Sequence, residues 1–221
     1  MKNVLLMIFI LSVVYACNNT DKTTANTTID SSSTSATHEN MDHSNMNMDS
    51  AGQQGKTMMT MMNGMMDNMR QVKSSGNLHN DFAALMKAHH LGAIEMAQLE
   101  VTQGTDAQMK QMAQKMIDDQ QKEVTDFNTL LATHNAGGED ETFFAQAMAT
   151  MTNMKMEMDH SGSVDQQFAQ MMIPHHQSAI DMSKAYLKQP MQDAQIKKMA
   201  MNIISSQQKE IGELKSWLRG K

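Results

Sequence analysis

Two stretches of the chain carry side chains that could ligate a metal, and they do so at matching positions. One reads Phe82-Ala-Ala-Leu-Met86-Lys-Ala-His89-His90-Leu-Gly-Ala93-Ile-Glu95-Met96. The other reads Phe168-Ala-Gln-Met-Met172-Ile-Pro-His175-His176-Gln-Ser-Ala179-Ile-Asp181-Met182, with every counterpart at the same offset. On a helix turning about 100° per residue, Phe168, Met172, His175, His176, Ala179 and Met182 fall within an arc of roughly 120°, the face a bundle helix turns inward. Asp181 falls on the solvent side. Each stretch therefore sets two adjacent imidazoles on an otherwise apolar stripe, with a thioether one turn before and another about two turns after. Satisfied core histidines are the plain alternative. Four buried imidazoles, however, need four sets of hydrogen-bond partners or cost about a few kcal/mol each, and a bound metal supplies that partner directly.

Ligand softness selects the metal. Thioether and imidazole together suit Cu(I) first, with Ag(I) or Cu(II) as further guests, whereas carboxylates favour harder ions. The expected ligands are Met86, His89, His90 and Met96 with Met172, His175, His176 and Met182. Met154, Met156, Met158 and His160, together with Met41 and His43, are candidates for secondary sites. Methionine fills 28 of 221 positions while aromatic residues make up 4%. Met specifies a core less well than Leu, which hints that the sulfur is wanted for itself, although packing at helical spacing accounts for part of it. The formal charge of -6 leaves no basic patch to neutralise phosphates, so nucleic acid is not an expected partner.

The elements that must position these residues follow from the chain in order. Met1-Lys2 and the apolar run Val4 to Val14 read as a signal segment, residues 1–16, too short to span a membrane. Cys17, the only cysteine, follows Val14-Tyr15-Ala16 as the lipidated first residue of an exported lipoprotein would. The expectation is a membrane-anchored protein of the bacterial periplasm or outer membrane, with neither disulfides nor thiolate metal sites. Residues 17–55 are rich in Asn, Thr, Ser and Asp and read as a disordered tether. Within it, His38, Met41, His43, Met46 and Met48 recur with no apolar framework around them. Either this stretch binds soft metal loosely and hands it on, or it is compositional drift.

Residues 56–221 read as an all-α domain of two tandem three-helix repeats, about 56–135 and 140–219, whose four long helices pair into a ferritin-like four-helix bundle. Spacing predicts helices over 56–73, 79–101, 106–134, 139–158, 164–188 and 191–218, with Ser74-Ser75-Gly76-Asn77, Thr102 to Asp106 and Pro190 as breaks. Pro174 removes an N–H in the middle of the fifth helix and should bend it. The last helix of each repeat carries an echo, Gln120-Gln121-Lys122-Glu123 against Gln207-Gln208-Lys209-Glu210. Glu123 and Glu210 fall on apolar stripes, where a carboxylate is expensive unless paired or metal-bound. Solvent-edge or capping roles are the alternative.

The pattern Met-x-x-His-His-x-x-Ala-x-x-Met, present twice, resembles the CopM-like copper-binding family, a helical domain long catalogued without a function. The Gln-x-x-Glu echo and the run Met171-Met172-Ile173-Pro174-His175-His176 add to the resemblance, which extends over roughly Leu78 to Leu218. It implies a ferritin-like bundle and exported copper binding that supports copper tolerance. The expected partners are copper ions and, as a candidate, a copper efflux or delivery protein. Two other classes stand beside this non-enzymatic reading. A di-iron carboxylate oxidase wants two Glu-x-x-His motifs, and only Glu157-Met-Asp-His160 has that spacing. An inert Met-cored interaction bundle leaves the His pairs and the Met-rich tether without a role.

Overall fold

A computed structural model describes residues 57–133, 142–152, 154 and 162–221. The signal segment, Cys17, the tether with Met41 and His43, and Met156, Met158 and His160 lie outside the described residues. Among the described residues every regular element is a helix: α1 Met58–Gln71, α2 Leu78–Gln103, α3 Ala107–Thr133, α4 Thr142–Thr152, α5 Val164–Leu187 and α6 Ala194–Arg219. The order short, long, long occurs twice. Each element falls where spacing predicts a helix, and α4 is described only to Thr152.

Local chemistry fixes the ends. Thr57 and Thr60 close a capping box at α1, and Ser163 and Gln166 do the same at α5. Asn77 and Asp193 each accept two backbone N–H groups at the starts of α2 and α6. Gly76 turns the chain into α2 with φ 68, a conformation that costs glycine least. Proline tolerance is more surprising: α5 is one helix from Val164 to Leu187 with Pro174 inside it.

The two His-bearing helices, α2 and α5, pack against each other, and each also packs on the helix that follows it. Asp165, at the start of α5, accepts from Thr105 N, Thr105 Oγ1 and Asp106 N beyond the end of α2. At the opposite end, Tyr186 Oη meets His79 Nδ1 at 2.9 Å. The helices α2 and α5 are therefore antiparallel. Short α1 lies against both, burying Met58, Met61, Met62, Met65 and Met69, and α4 covers them in turn. Phe82, Phe127, Phe143 and Tyr186 meet in one aromatic cluster at the His79 end, with Phe82 and Tyr186 centroids 4.6 Å apart.

Candidate metal centre

All four histidines of the two pairs are buried to 0% exposure. Adjacent residues on a helix point about 100° apart, so two neighbouring rings cannot face the same partner helix, and the pairs are sorted across helices. The first ring of each pair turns into the α2–α5 contact, where the His89 and His175 centroids stand 3.7 Å apart. The second ring of each turns to the following helix: His90 Nε2 is 2.7 Å from Glu123 Oε2 on α3, and His176 Nε2 is 3.0 Å from Glu210 Oε2 on α6. The latter contact has ion-pair distance but lies off the line of a hydrogen bond. Glu123 and Glu210 thus neither cap a helix nor stand alone at a solvent edge.

The inner rings differ in what holds them. Ser178 Oγ has one hydrogen and gives it to His175 O at 2.7 Å. At 2.9 Å from the same oxygen, His89 Nε2 must then be the donor, which assigns its tautomer and leaves Nδ1 as a lone pair. The position equivalent to Ser178 in α2 is Gly92. There Met65 of α1 fills the space, and its Sδ lies 3.1 Å from His175 Nε2. A Cβ at Gly92 would collide with Met65 Cβ and Cγ.

All four Nδ1 atoms are buried without a hydrogen-bond partner. Burial first, and the neighbouring imidazoles second, push His89 and His175 well below the usual histidine range, while each other's backbone carbonyl offsets part of this. The inner rings are therefore neutral at neutral pH, the form that binds a metal. Glu123 and Ser178, accepting from Nε2, are partners of the kind that orient metal-bound imidazoles. Among the described residues no three His, Asp or Glu side chains converge on one point. A core ion would need thioether as well as imidazole.

Met86, Met96, Met172 and Met182 are each 0% exposed. Among the described residues the thioether in contact with a ring nitrogen is that of Met65, which sequence spacing assigns only to the packed stripe of α1. The available signal was the glycine that replaces Ser178 in the first repeat. Met154 is half-buried and packs on the core.

Residues 19–131 and 165–221 match the family described as Domain of unknown function (DUF305). The chain belongs to this family. A 54-residue segment, 24% of this chain, is 48% identical to "Uncharacterized protein L153" of Acanthamoeba polyphaga mimivirus, of which it covers 35%. The chain thus spans about a third of that relative's length. No solved structure matches it.

In this DUF305 chain the two ends of the α2–α5 contact are chemically unlike. Glu100 occupies the position equivalent to Tyr186, and Asp165 that equivalent to His79, so one end has a carboxyl pair where the other has a phenol and an imidazole. Glu100 is 0% exposed. Burial first and Asp165 second raise it to about 8. Burial would raise Asp165 too, but the donors of Asp106 and Thr105 and the neighbouring Glu100 outweigh it and hold Asp165 low. Glu100 is consequently the member that keeps the proton.

Proposed function

We propose that this DUF305 chain is an exported copper-binding protein that takes Cu(I) into a core of imidazole and thioether and sequesters it or hands it on. The observation that carries the reading is the set of four buried Nδ1 atoms without partners. Such atoms are costly in an apolar interior, and a metal offers the partner that the protein withholds. The imidazole donors are those Nδ1 atoms, with His90 and His176 held at Nε2 by Glu123 and Glu210, and Met65, beside Nε2 of His175, supplies the nearest thioether. Thioether beside imidazole favours Cu(I) and admits Ag(I). In the same reading, the four long helices form a ferritin-like bundle of two tandem repeats. Cys17 carries a lipid, and the Met/His stretch of the tether feeds or receives copper at the membrane surface. A di-iron centre fits less well, since such a centre wants two Glu-x-x-His motifs and only Glu157-Met-Asp-His160 has that spacing.

The test is a Cu(I) competition titration of the full chain against a chromophoric chelator, beside the His89→Leu/His175→Leu variant. The expected outcome is tight Cu(I) binding that falls at least tenfold in the variant. Equal affinity in the two would place the copper elsewhere and sink the reading.

A further inference from the structure

The face between α3 and α6 holds a constellation that the core leaves unused. A cleft of about 300 Å³ opens there, lined by Gln120 and Glu123 of α3 and by Gln207 and Glu210 of α6. Gln120 and Gln207 are 3% and 2% exposed. The amide nitrogen and oxygen of both meet no hydrogen-bond partner. A buried amide with both polar atoms unpaired is unfavourable, and two of them at equivalent places in one cleft point to a ligand. The carboxylates narrow its chemistry. Oε2 of each glutamate faces an imidazole, which leaves Oε1 uncommitted. Asp119 and Asp126 also line the cleft, and with Glu123 and Glu210 they outnumber Lys122 in the lining and Lys115, which pairs with Asp119, so the local potential favours a cation.

We propose that this cleft binds a divalent cation through oxygen, with Glu123, Glu210 and the amide oxygens of Gln120 and Gln207 as the donors and water completing the shell. Oxygen donors suit hard and borderline divalent ions, among which Cu(II) binds most tightly by the ordinary order of affinities. Each glutamate then joins a cleft cation on one oxygen to a core imidazole on the other. The donors here are oxygens and those of the core are nitrogen and sulfur, so the site does not depend on the copper(I) reading.

Mn(II) separates the two, because it shuns thioether and favours oxygen. Titration of the full chain with Mn(II), followed by loss of the free-ion paramagnetic resonance signal, is the experiment. It is run on the wild type, Glu123→Gln/Glu210→Gln, Gln120→Leu/Gln207→Leu and His89→Leu/His175→Leu, with circular dichroism to check folding. The expected result is at least a tenfold loss of Mn(II) affinity in the glutamate variant, at least a fivefold loss in the glutamine variant, and no change in the histidine variant. The glutamine pair decides the matter should the glutamate pair fail to fold. Wild type that leaves Mn(II) free, or folded cleft variants that bind as well as wild type, would overturn the proposal. A histidine variant that alone loses Mn(II) would overturn it too. Failure to bind Cu(I) with Mn(II) binding intact would sink the core reading and leave the cleft standing.

Discussion

Met65 stands where the symmetry of the two His pairs breaks. His89 meets a hydroxyl at Nε2, whereas His175 meets a sulfur at 3.1 Å. A thioether is a weak hydrogen-bond acceptor but a good soft ligand. Met65→Leu separates the two roles, since Leu and Met are close in volume and such swaps usually cost less than about 1.5 kcal/mol. The expected outcome is a Cu(I) affinity at least tenfold lower with a melting temperature close to wild type, whereas Met69→Leu, equally buried, leaves affinity unchanged. Equal losses in both variants would mean that sulfur is packing throughout. Glu100 gives a second prediction at this scale. Its pKa is raised from 4.5 to about 8 in the folded chain, so the folded state holds a proton that the unfolded state releases. Its stabilising contribution is full below about 4.5 and is lost as pH rises through about 8. Urea unfolding of wild type and Glu100→Gln across that window should show the variant gaining on wild type as pH rises. A constant difference would show that Glu100 carries no shifted proton.

At the scale of elements, the helices were legible from apolar spacing and the breaks between them: α5 starts at Val164 as the spacing predicts, whereas α6 starts at Ala194, behind an Asp193 cap that the spacing places inside the helix. Glu123 and Glu210, which the echo places on apolar stripes, each face an imidazole of a His pair. The partner choice of each ring was not legible. Helical periodicity places His89 and His90 on one broad face, but which of them meets the other repeat depends on the rotation of α2 against α5, a property of two helices together. Met65 was hidden for the same reason. It became a neighbour of His175 only through the docking of α1 over Gly92, a contact between segments far apart in sequence. Gly92→Ala tests that docking. Its Cβ meets Met65 Cβ as well as Cγ, so rotation of a flexible tip does not relieve the clash and α1 must shift. Overpacking of this kind typically costs about 1–3 kcal/mol. The expected result is that loss of stability together with a weakened Cu(I) site, while Gly64→Ala, with open space around it, changes neither. An unaffected Cu(I) affinity in Gly92→Ala would detach α1 from the site.

Across the whole molecule, stability and ligand binding should pull in opposite directions at the inner histidines. A domain folded for stability alone would fill the α2–α5 contact with aliphatic side chains, of the kind these two helices bury at Ala93, Ala97, Ala169 and Ala179. Instead it stacks two imidazoles there with their Nδ1 atoms unpaired. Functional sites are where such local costs are retained. Replacing both rings by leucine removes the unpaired nitrogens, and Ser178 keeps its bond to the backbone carbonyl of residue 175. The metal-free double variant His89→Leu/His175→Leu is therefore expected to melt no lower than metal-free wild type. Adding Cu(I) reverses the order. A ligand bound only by the folded state stabilises it by about 2.7 kcal/mol at a free concentration one hundred times its dissociation constant, and wild type gains this while the variant does not. The measurement is a pair of thermal melts, with and without Cu(I) under reducing buffer. A variant that melts well below wild type before any metal is added would make the imidazoles ordinary core residues, held by packing and in no need of an ion.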